Sequence, residues 1–301
     1  MSDEPVFYIL LSMDDSMAGK IVIVTGANAG IGKATAAAIA DKGAKVILAC
    51  RCRERGEAAL RDLRCEKKRS MELMHLDLAD LESVRAFAAA FCAKYDHLDA
   101  LINNAGVLPH RRGETKQGFE LCFGVNYLGH FLLTLLLLPV LERAGQGRVV
   151  MMSSLAHAWT DVRFDDLNFT RGYNRFLAYG QSKLCNLLFT RILAEKLRKK
   201  GSRVTINAVH PGIVASDIVV NRKNGAFRWV AALMRLFFVS CEQGAQTSVY
   251  LACDPAVSAI SGEYFYRRHI EPSSETSRDL QKAGRLYECS LSFTGLKKSP
   301  L

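Results

Sequence analysis

The sequence contains no CxxC pair, although nine cysteines are spread over its 301 residues at positions 50, 52, 65, 92, 122, 185, 241, 253 and 289. Cys50 and Cys52 stand too close together for a usual zinc half-site, so no metal site is expected. An odd, scattered set reads instead as buried thiols in a reducing compartment. Low-complexity tracts and internal repeats are also missing, which excludes solenoids and arrays. No Pro/Gly/Ser-rich linker divides the chain, and one domain is expected. The N-terminal "MSDEPVFYILLSMDDSMAGK" lacks the basic start of a signal peptide, and acids flank its apolar stretch, Val6 to Leu11. Neither that stretch nor "FRWVAALMRLFFVS" (227–240), broken by Arg235, approaches the ~20 apolar residues of a spanning helix. The basic residues are not interleaved with aromatics, so nucleic acid is not an expected partner.

What is present is an ordinary globular composition, 49% hydrophobic and 23% charged, with a formal charge of +10. Part of the excess lies in "RCRERGEAALRDLRCEKKR" (51–69), eight basic against four acidic residues. Such a run is a solvated helix face, a holder of a cofactor phosphate, or a contact for an anionic membrane. Short β-branched runs alternate with helical patterns. Strands are expected at 21–25, 45–49, 71–77, 99–103, 147–153, 203–209 and 262–266. Helices are expected at 32–43, through 51–69, at 80–95, at about 118–143 and at 179–200, with Pro139 kinking or ending the fourth. Lys199, Lys200 and Gly201 supply a C-terminal signature for the last. Continuous apolar strands alternating with helices imply a parallel sheet covered on both faces.

"TGANAGIG" (25–32) joins the first strand to the first helix. Its Gly26, Gly30 and Gly32 allow a tight turn and a close backbone approach to a pyrophosphate, with Asn28 and Ile31 in the same loop. The helix start behind it offers unpaired N–H groups and the positive end of a dipole. At the end of the second strand, an acid would bind a ribose 2′-hydroxyl, whereas an arginine accommodates a 2′-phosphate. "VILACRCR" has no acid there; Arg51 stands just past the strand and Lys33 flanks the loop. The expected cofactor is therefore NADP(H).

A tyrosine four residues before a lysine, as in "YGQSK" (179–183), means little alone. Here it follows "TGANAGIG", "NNAG" (103–106) and "SS" (153–154), and precedes "HPGIVAS" (210–216). In this ordered set, from about residue 20 to 266, the sequence resembles the short-chain dehydrogenase/reductase family. The resemblance implies a single-domain, Rossmann-type, doubly wound parallel sheet of about seven strands flanked by helices. Carbonyl reduction needs a proton for the oxygen, which Tyr179 can give. A phenol titrates near 10 and must be shifted toward the working pH; three units are worth about 4 kcal/mol. An ammonium ~4 Å away in a partly screened site supplies roughly that much. Lys183 lies one turn on, on the same helix face. By resemblance Lys183 also bonds the nicotinamide ribose, Ser154 orients the substrate oxygen with Ser153 as its rival, and Asn126 supports a relay water. Asn104 and Gly106 would line the adenosine side, Asp77 the adenine, and Pro211, Gly212 and Ser216 the nicotinamide; Ser216 stands where the family commonly has threonine.

The long insertion between Ser154 and Tyr179, with "ACR", "SSLAH" and "QGAQTSVYLACDP", looks like the retinol dehydrogenase branch. That implies an apolar aldehyde or alcohol, retinal or retinol first, in the reductive direction. Steroid or xenobiotic carbonyl reduction is the neighbouring alternative, and a catalytically silent NADP-sensing scaffold the alternative of another class. The apolar stretch at 220–240 reads as a substrate lid touching a membrane, or as a core or dimer-contact helix. The expected layout is an N-terminal extension at 1–18, a catalytic domain at 19–270 and a C-terminal extension at 271–301. The expected setting is intracellular, cytoplasmic or peripheral on the endoplasmic reticulum membrane, with possible homodimers through the helices at 118–143 and 179–200.

Overall fold

The structure, a computed structural model, describes residues 15–66, 69–212 and 239–296. The apolar runs fall where their patterns place them. Strands β1 (Ile21–Thr25), β2 (Lys45–Cys50), β3 (Met71–His75), β4 (Ala100–Asn103), β5 (Arg148–Met152), β6 (Thr205–Val209), β7 (Tyr264–Tyr266) and β8 (His269–Ile270) form one sheet. Their order is β3-β2-β1-β4-β5-β6-β7-β8. Seven strands pair in parallel, and β8 adds a short antiparallel edge. Strand bounds differ from those read in the sequence by one or two residues, the usual fraying at element ends.

Alternation along each strand divides the core between two faces. Ile21, Ile23, Leu101 and Val149 pack with helices α3 (Leu81–Lys94), α4 (Gly129–Arg143) and α5 (Arg175–Lys200). Val22, Val24, Ile102 and Val150 pack with α1 (Gly30–Ala40) and α6 (Cys241–Cys253), with Leu63 of α2 (Arg53–Glu66) among them. The chain crosses over between β1 and β4, which are neighbours in the sheet. A crevice at the carboxyl ends of strands at such a reversal is where this architecture binds ligands.

Two helices differ from expectation. The fourth helical segment starts at 121 rather than 118, because Gly118, at φ +80°, turns the chain first. Its residues Phe123–Leu128 form a π turn, in which the Gly129 N–H reaches back to the Gly124 carbonyl. Pro139 does not end α4, which runs on to Arg143. A mid-helix proline costs ~3 kcal/mol, but Leu135, Leu137, Leu138, Val140 and Leu141 are all buried and hold the helix through it. The span Phe123–Arg143 is long and apolar enough to cross a membrane, yet most of it is buried inside the fold. Helix α5 begins at Arg175, four residues before Tyr179, because the Asn174 side chain accepts the N–H groups of Phe176 and Leu177.

The residues after 270 include α7 (Leu280–Phe293), capped by Asp279. The Tyr287 ring of α7 packs against Phe131 and Phe189, and Ser290 bonds the Tyr127 hydroxyl at 2.7 Å. Tyr287 is 1% exposed, so Tyr287→Ala is expected to lower unfolding stability by about 3–5 kcal/mol, as buried aromatic truncations do; urea denaturation measures it.

The residues 220–238 of the expected lid, and Ser216, lie outside the described residues.

Candidate active site

The crevice is assembled from four segments. The first is the turn after β1. Gly32 is buried there because a Cβ would stand 2.5 Å from the Gly26 carbonyl oxygen and 2.5 Å from Asn104 Nδ2. Gly26 and Gly30 both take positive φ, at +66° and +56°. Asn28 and Ile31 are half-buried in the same loop. Ala29 precedes α1 and offers no side chain to cap it, so the helix start keeps N–H groups for an anion. Burial pushes the thiol of Cys50, the last residue of β2, up to about 11, against the downward pull of the Ala27 and Asn28 backbone N–H groups.

Two cations were expected near this loop. Arg51 is exposed and forms no ion pair among the described residues. Lys33 is held by Asp62 at 3.1 Å on α2. Asp77, past β3, is half-buried, and its carboxylate accepts the Ala79 N–H at 2.9 Å.

The loop after β4 is the second segment. The Asn104 side chain donates to the Thr25 carbonyl at 2.9 Å, bracing this loop against the glycine turn. At Gly106 a Cβ would lie 3.6 Å from Lys183 Nζ and 3.4 Å from Asn126 Oδ1. Asn126, in the π turn, clamps Val107 by both backbone groups: Oδ1 accepts from Val107 N at 2.7 Å, and Nδ2 donates to Val107 O at 3.0 Å. The same Nδ2 reaches Ser182 Oγ at 3.0 Å.

The end of β5 and helix α5 are the third and fourth segments. Ser153 and Ser154 point opposite ways. Ser153 is 1% exposed and donates to the Lys183 carbonyl at 2.9 Å. Ser154 is half-buried, its Oγ accepts the Ala156 N–H at 3.3 Å, and it is close enough to the Tyr179 phenol to pull its pKa down. Its backbone is pinned by His157, whose Nδ1 donates to the Ser154 carbonyl at 2.7 Å, while Nε2 accepts from Ser274 at 3.1 Å. Gly180 permits this closeness: a Cβ there would stand 2.7 Å from the Ala156 carbonyl oxygen. Lys183 Nζ lies 5.4 Å from the Tyr179 ring centroid and donates to the Met152 carbonyl at 2.9 Å. Tyr179, Lys183 and Ser154 are thus neighbours. Past β6, Pro211 is half-buried and Gly212 has φ +84°; its N–H donates to His210 Nδ1 at 3.0 Å.

The electrostatics differ from the simple expectation. Burial pushes the Tyr179 phenol up to about 12, against the downward pull of the Ser154 hydrogen bond. Burial pushes Lys183 down to about 8. In the protein alone, desolvation sets the phenol, and the cation that was expected to lower it is not among the groups that do so. Tyr179 therefore remains a protonated donor at neutral pH.

The comparisons agree with this geometry. The profile of the family described as "short chain dehydrogenase" matches residues 20–226. The chain belongs to that family. Retinol dehydrogenase 11 of Homo sapiens is 44% identical over 279 residues, covering 92% of this chain and 86% of that protein. A solved structure of an uncharacterized protein from Mycobacterium paratuberculosis is 35% identical, covers 95% of this chain and 96% of its own, and superposes with a TM-score of 0.76. A structure described as an NAD(P)-dependent gluconate 5-dehydrogenase from Beutenbergia cavernae, with bound NADP, is 26% identical, covers 84% of this chain and 97% of its own, and has a TM-score of 0.65.

This short chain dehydrogenase is an oxidoreductase acting on CH–OH groups, and the family uses a nicotinamide cofactor. The residues present fit such a group. The uncapped start of α1 suits a pyrophosphate. Lys183 is 2% exposed, and among the described residues only the Met152 carbonyl accepts from it, which leaves ammonium protons for ligand hydroxyls.

His157, Ser153, Gly180 and Thr25 were not singled out as structural supports by sequence reasoning. "SSLAH" and "YGQSK" contain three of them, but their partners lie far along the chain.

Proposed function

We propose that the protein is an NADP(H)-dependent oxidoreductase for apolar aldehydes and alcohols, with retinal and retinol the first candidates and aldehyde reduction the working direction. The observation that carries this reading is the convergence of Ser154, Tyr179 and Lys183 at the carboxyl end of β5, beside the glycine loop. NADPH, when bound, supplies the hydride. Ser154 holds the substrate oxygen beside the phenol, and Tyr179 donates its proton to that oxygen. The Lys183 ammonium stabilises the phenolate left behind. Lys183 also holds the nicotinamide ribose; Asn126 keeps its segment of the π turn in register with α5. The glycine loop with Asn28 and Ile31, and Asp77, Asn104, Gly106, Pro211 and Gly212, complete the cofactor's surroundings.

The choice of NADP rests on Arg51, a guanidinium just past β2 with no ion pair among the described residues, at the position where a 2′-phosphate sits in this architecture. Arg51→Ala is expected to raise the KM for NADPH at least about tenfold, the worth of one charge-assisted contact, and to leave that for NADH unchanged. Steady-state kinetics with both cofactors measures it.

The retinoid candidate is supported by the insertion between Ser154 and Tyr179 and by retinol dehydrogenase 11 as a relative. Pairing of two copies through α4 and α5 must contend with α7, which already covers Phe131 and Phe189. The deciding experiment follows NADPH and NADH oxidation with all-trans-retinal, steroid ketones and small quinones. Negligible turnover of retinal alongside brisk turnover of another carbonyl moves the substrate to that class. No turnover of any carbonyl, with NADPH still bound, replaces the enzyme by a cofactor-sensing scaffold.

A further inference from the structure

His130 opens α4 and is wholly buried, yet both ring nitrogens have partners. Nδ1 lies 3.1 Å from the Asn126 carbonyl oxygen, and Nε2 lies 2.9 Å from Thr25 Oγ1. A carbonyl can only accept, so Nδ1 carries the ring proton. Burial holds the imidazole down to about 4, so the ring is neutral, Nε2 is bare, and it accepts the Thr25 hydroxyl proton. That leaves the two lone pairs of Thr25 Oγ1, and the N–H groups of Asn104 and Ala105 take them at 2.9 and 3.0 Å. The Thr25 hydroxyl also lies 3.4 Å from the Ile102 carbonyl and the Asn104 N–H is shared with that carbonyl at 3.0 Å, but Nε2 is the nearer acceptor for the hydroxyl, and the Nδ1 contact with a carbonyl fixes the tautomer.

The two ends of this chain belong to different parts of the crevice. Thr25 precedes Gly26 of the glycine loop, and Asn104 precedes Ala105 and Gly106. Asn126 lies in the π turn and bonds Ser182, the residue before Lys183. We propose that His130 is a positioning residue that ties the two cofactor loops to the Asn126–Lys183 segment through one neutral ring. It touches neither substrate nor cofactor. The Nε2 bond sets the placement of the glycine loop and of residues 104–106, and so cofactor binding. The Nδ1 bond sets the Asn126 carbonyl and, through Asn126 and Ser182, the turn of α5 that carries Lys183, and so the chemical step. The inference rests on the reading of the protein as an NADP(H) oxidoreductase.

The two bonds can be removed separately. In His130→Asn the amide nitrogen takes the Nδ1 position and keeps the bond to Asn126, but the side chain is too short for Thr25. In His130→Gln the amide reaches Thr25 and has nothing at the Nδ1 position. His130→Asn is expected to raise the KM and Kd for NADPH about tenfold with kcat within about threefold. His130→Gln is expected to do the reverse, lowering kcat about tenfold with the NADPH Kd within about threefold. A merely structural histidine would move both parameters together in each variant, in step with the folded fraction; that result, or wild-type parameters in both, overturns the proposal. Should either variant fail to fold, the wild type decides through the 15N shifts of its imidazoles. The Nδ1–H form, with a resonance that moves when NADPH saturates the protein, is expected; the Nε2–H form, or a resonance indifferent to NADPH, overturns it. Wild-type NADPH titration and aldehyde turnover come first. A wild type that neither binds NADPH nor reduces an aldehyde retires the functional reading and this proposal with it, whereas an active wild type with unaltered variants retires His130 alone.

Discussion

Tyr179→Phe is expected to lower kcat for aldehyde reduction by about 10³-fold while leaving the Kd for NADPH within about twofold, the range attributed to a positioned general acid. The ring is retained, so its packing and the ring contact with the Lys183 ammonium at 5.4 Å survive. Only the hydroxyl is lost, and with it the proton offered to the substrate oxygen. Because burial keeps that phenol near 12, it is fully protonated throughout the neutral range, a weak acid in the protein alone, and phenolate is scarce until the pH rises or bound charge stabilises it. Reduction should therefore be the easier direction near pH 7, with oxidation gaining as the pH rises. Single-turnover measurement with preformed NADPH complex separates the chemical step from binding. Equal, near-zero rates for wild type and variant would remove the catalytic assignment altogether.

The second large effect belongs to Lys183. Lys183→Met removes the charge at nearly constant shape, and kcat/KM is expected to fall by about 10³-fold, the scale of a lost electrostatic stabiliser in a desolvated site. Stability should move the opposite way. The ammonium is depressed from the ordinary 10.5 to about 8 by burial. Below pH 8 the folded protein bears the whole cost of holding a desolvated charge. Between about 8 and 10.5 the unfolded chain binds a proton that the folded chain does not, so wild-type stability rises with pH across that window. Lys183→Met is expected to be more stable at pH 7 by up to about 3 kcal/mol and to lack that rise. The Met152 carbonyl is not orphaned by the change, because Asn186 Nδ2 also donates to it at 3.0 Å. Denaturation curves at pH 7 and 9.5 test the sign. In the wild type, kcat/KM for NADPH should decline above about 8, as the free enzyme loses the ammonium. A variant that is both inactive and less stable would show that Lys183 is chiefly a structural tether.

Much of the fold was legible because its signals are local. Apolar runs of five or six residues mark β1 and β2, and the turn "TGANAGIG" marks the passage into α1. The start of α5 was not read: the helix was expected only from 179, whereas the Asn174 cap begins it at Arg175. The departures came from competition between local and tertiary terms. Pro139 ought to stop a helix, but five buried neighbours hold it in one. The segment after 270 looked like an appendage, whereas Tyr287 and Leu286 of α7 are buried against the long helices.

The candidate site divides in the same way. Helical periodicity alone puts Tyr179 and Lys183 on one side of α5, and the glycines and alternating runs alone call for a parallel sheet with an anion site at its first turn. Whether Ser153 or Ser154 meets the phenol depends on which way each side chain leaves the end of β5, and that direction follows from where α5 crosses the sheet. The pKa values depend on how completely the packed protein strips water from Tyr179 and Lys183. His130 meets Thr25 across 105 positions of sequence, a distance over which residue spacing carries no information, and only the parallel pairing of β1 with β4 and the packing of α4 behind it bring the two together.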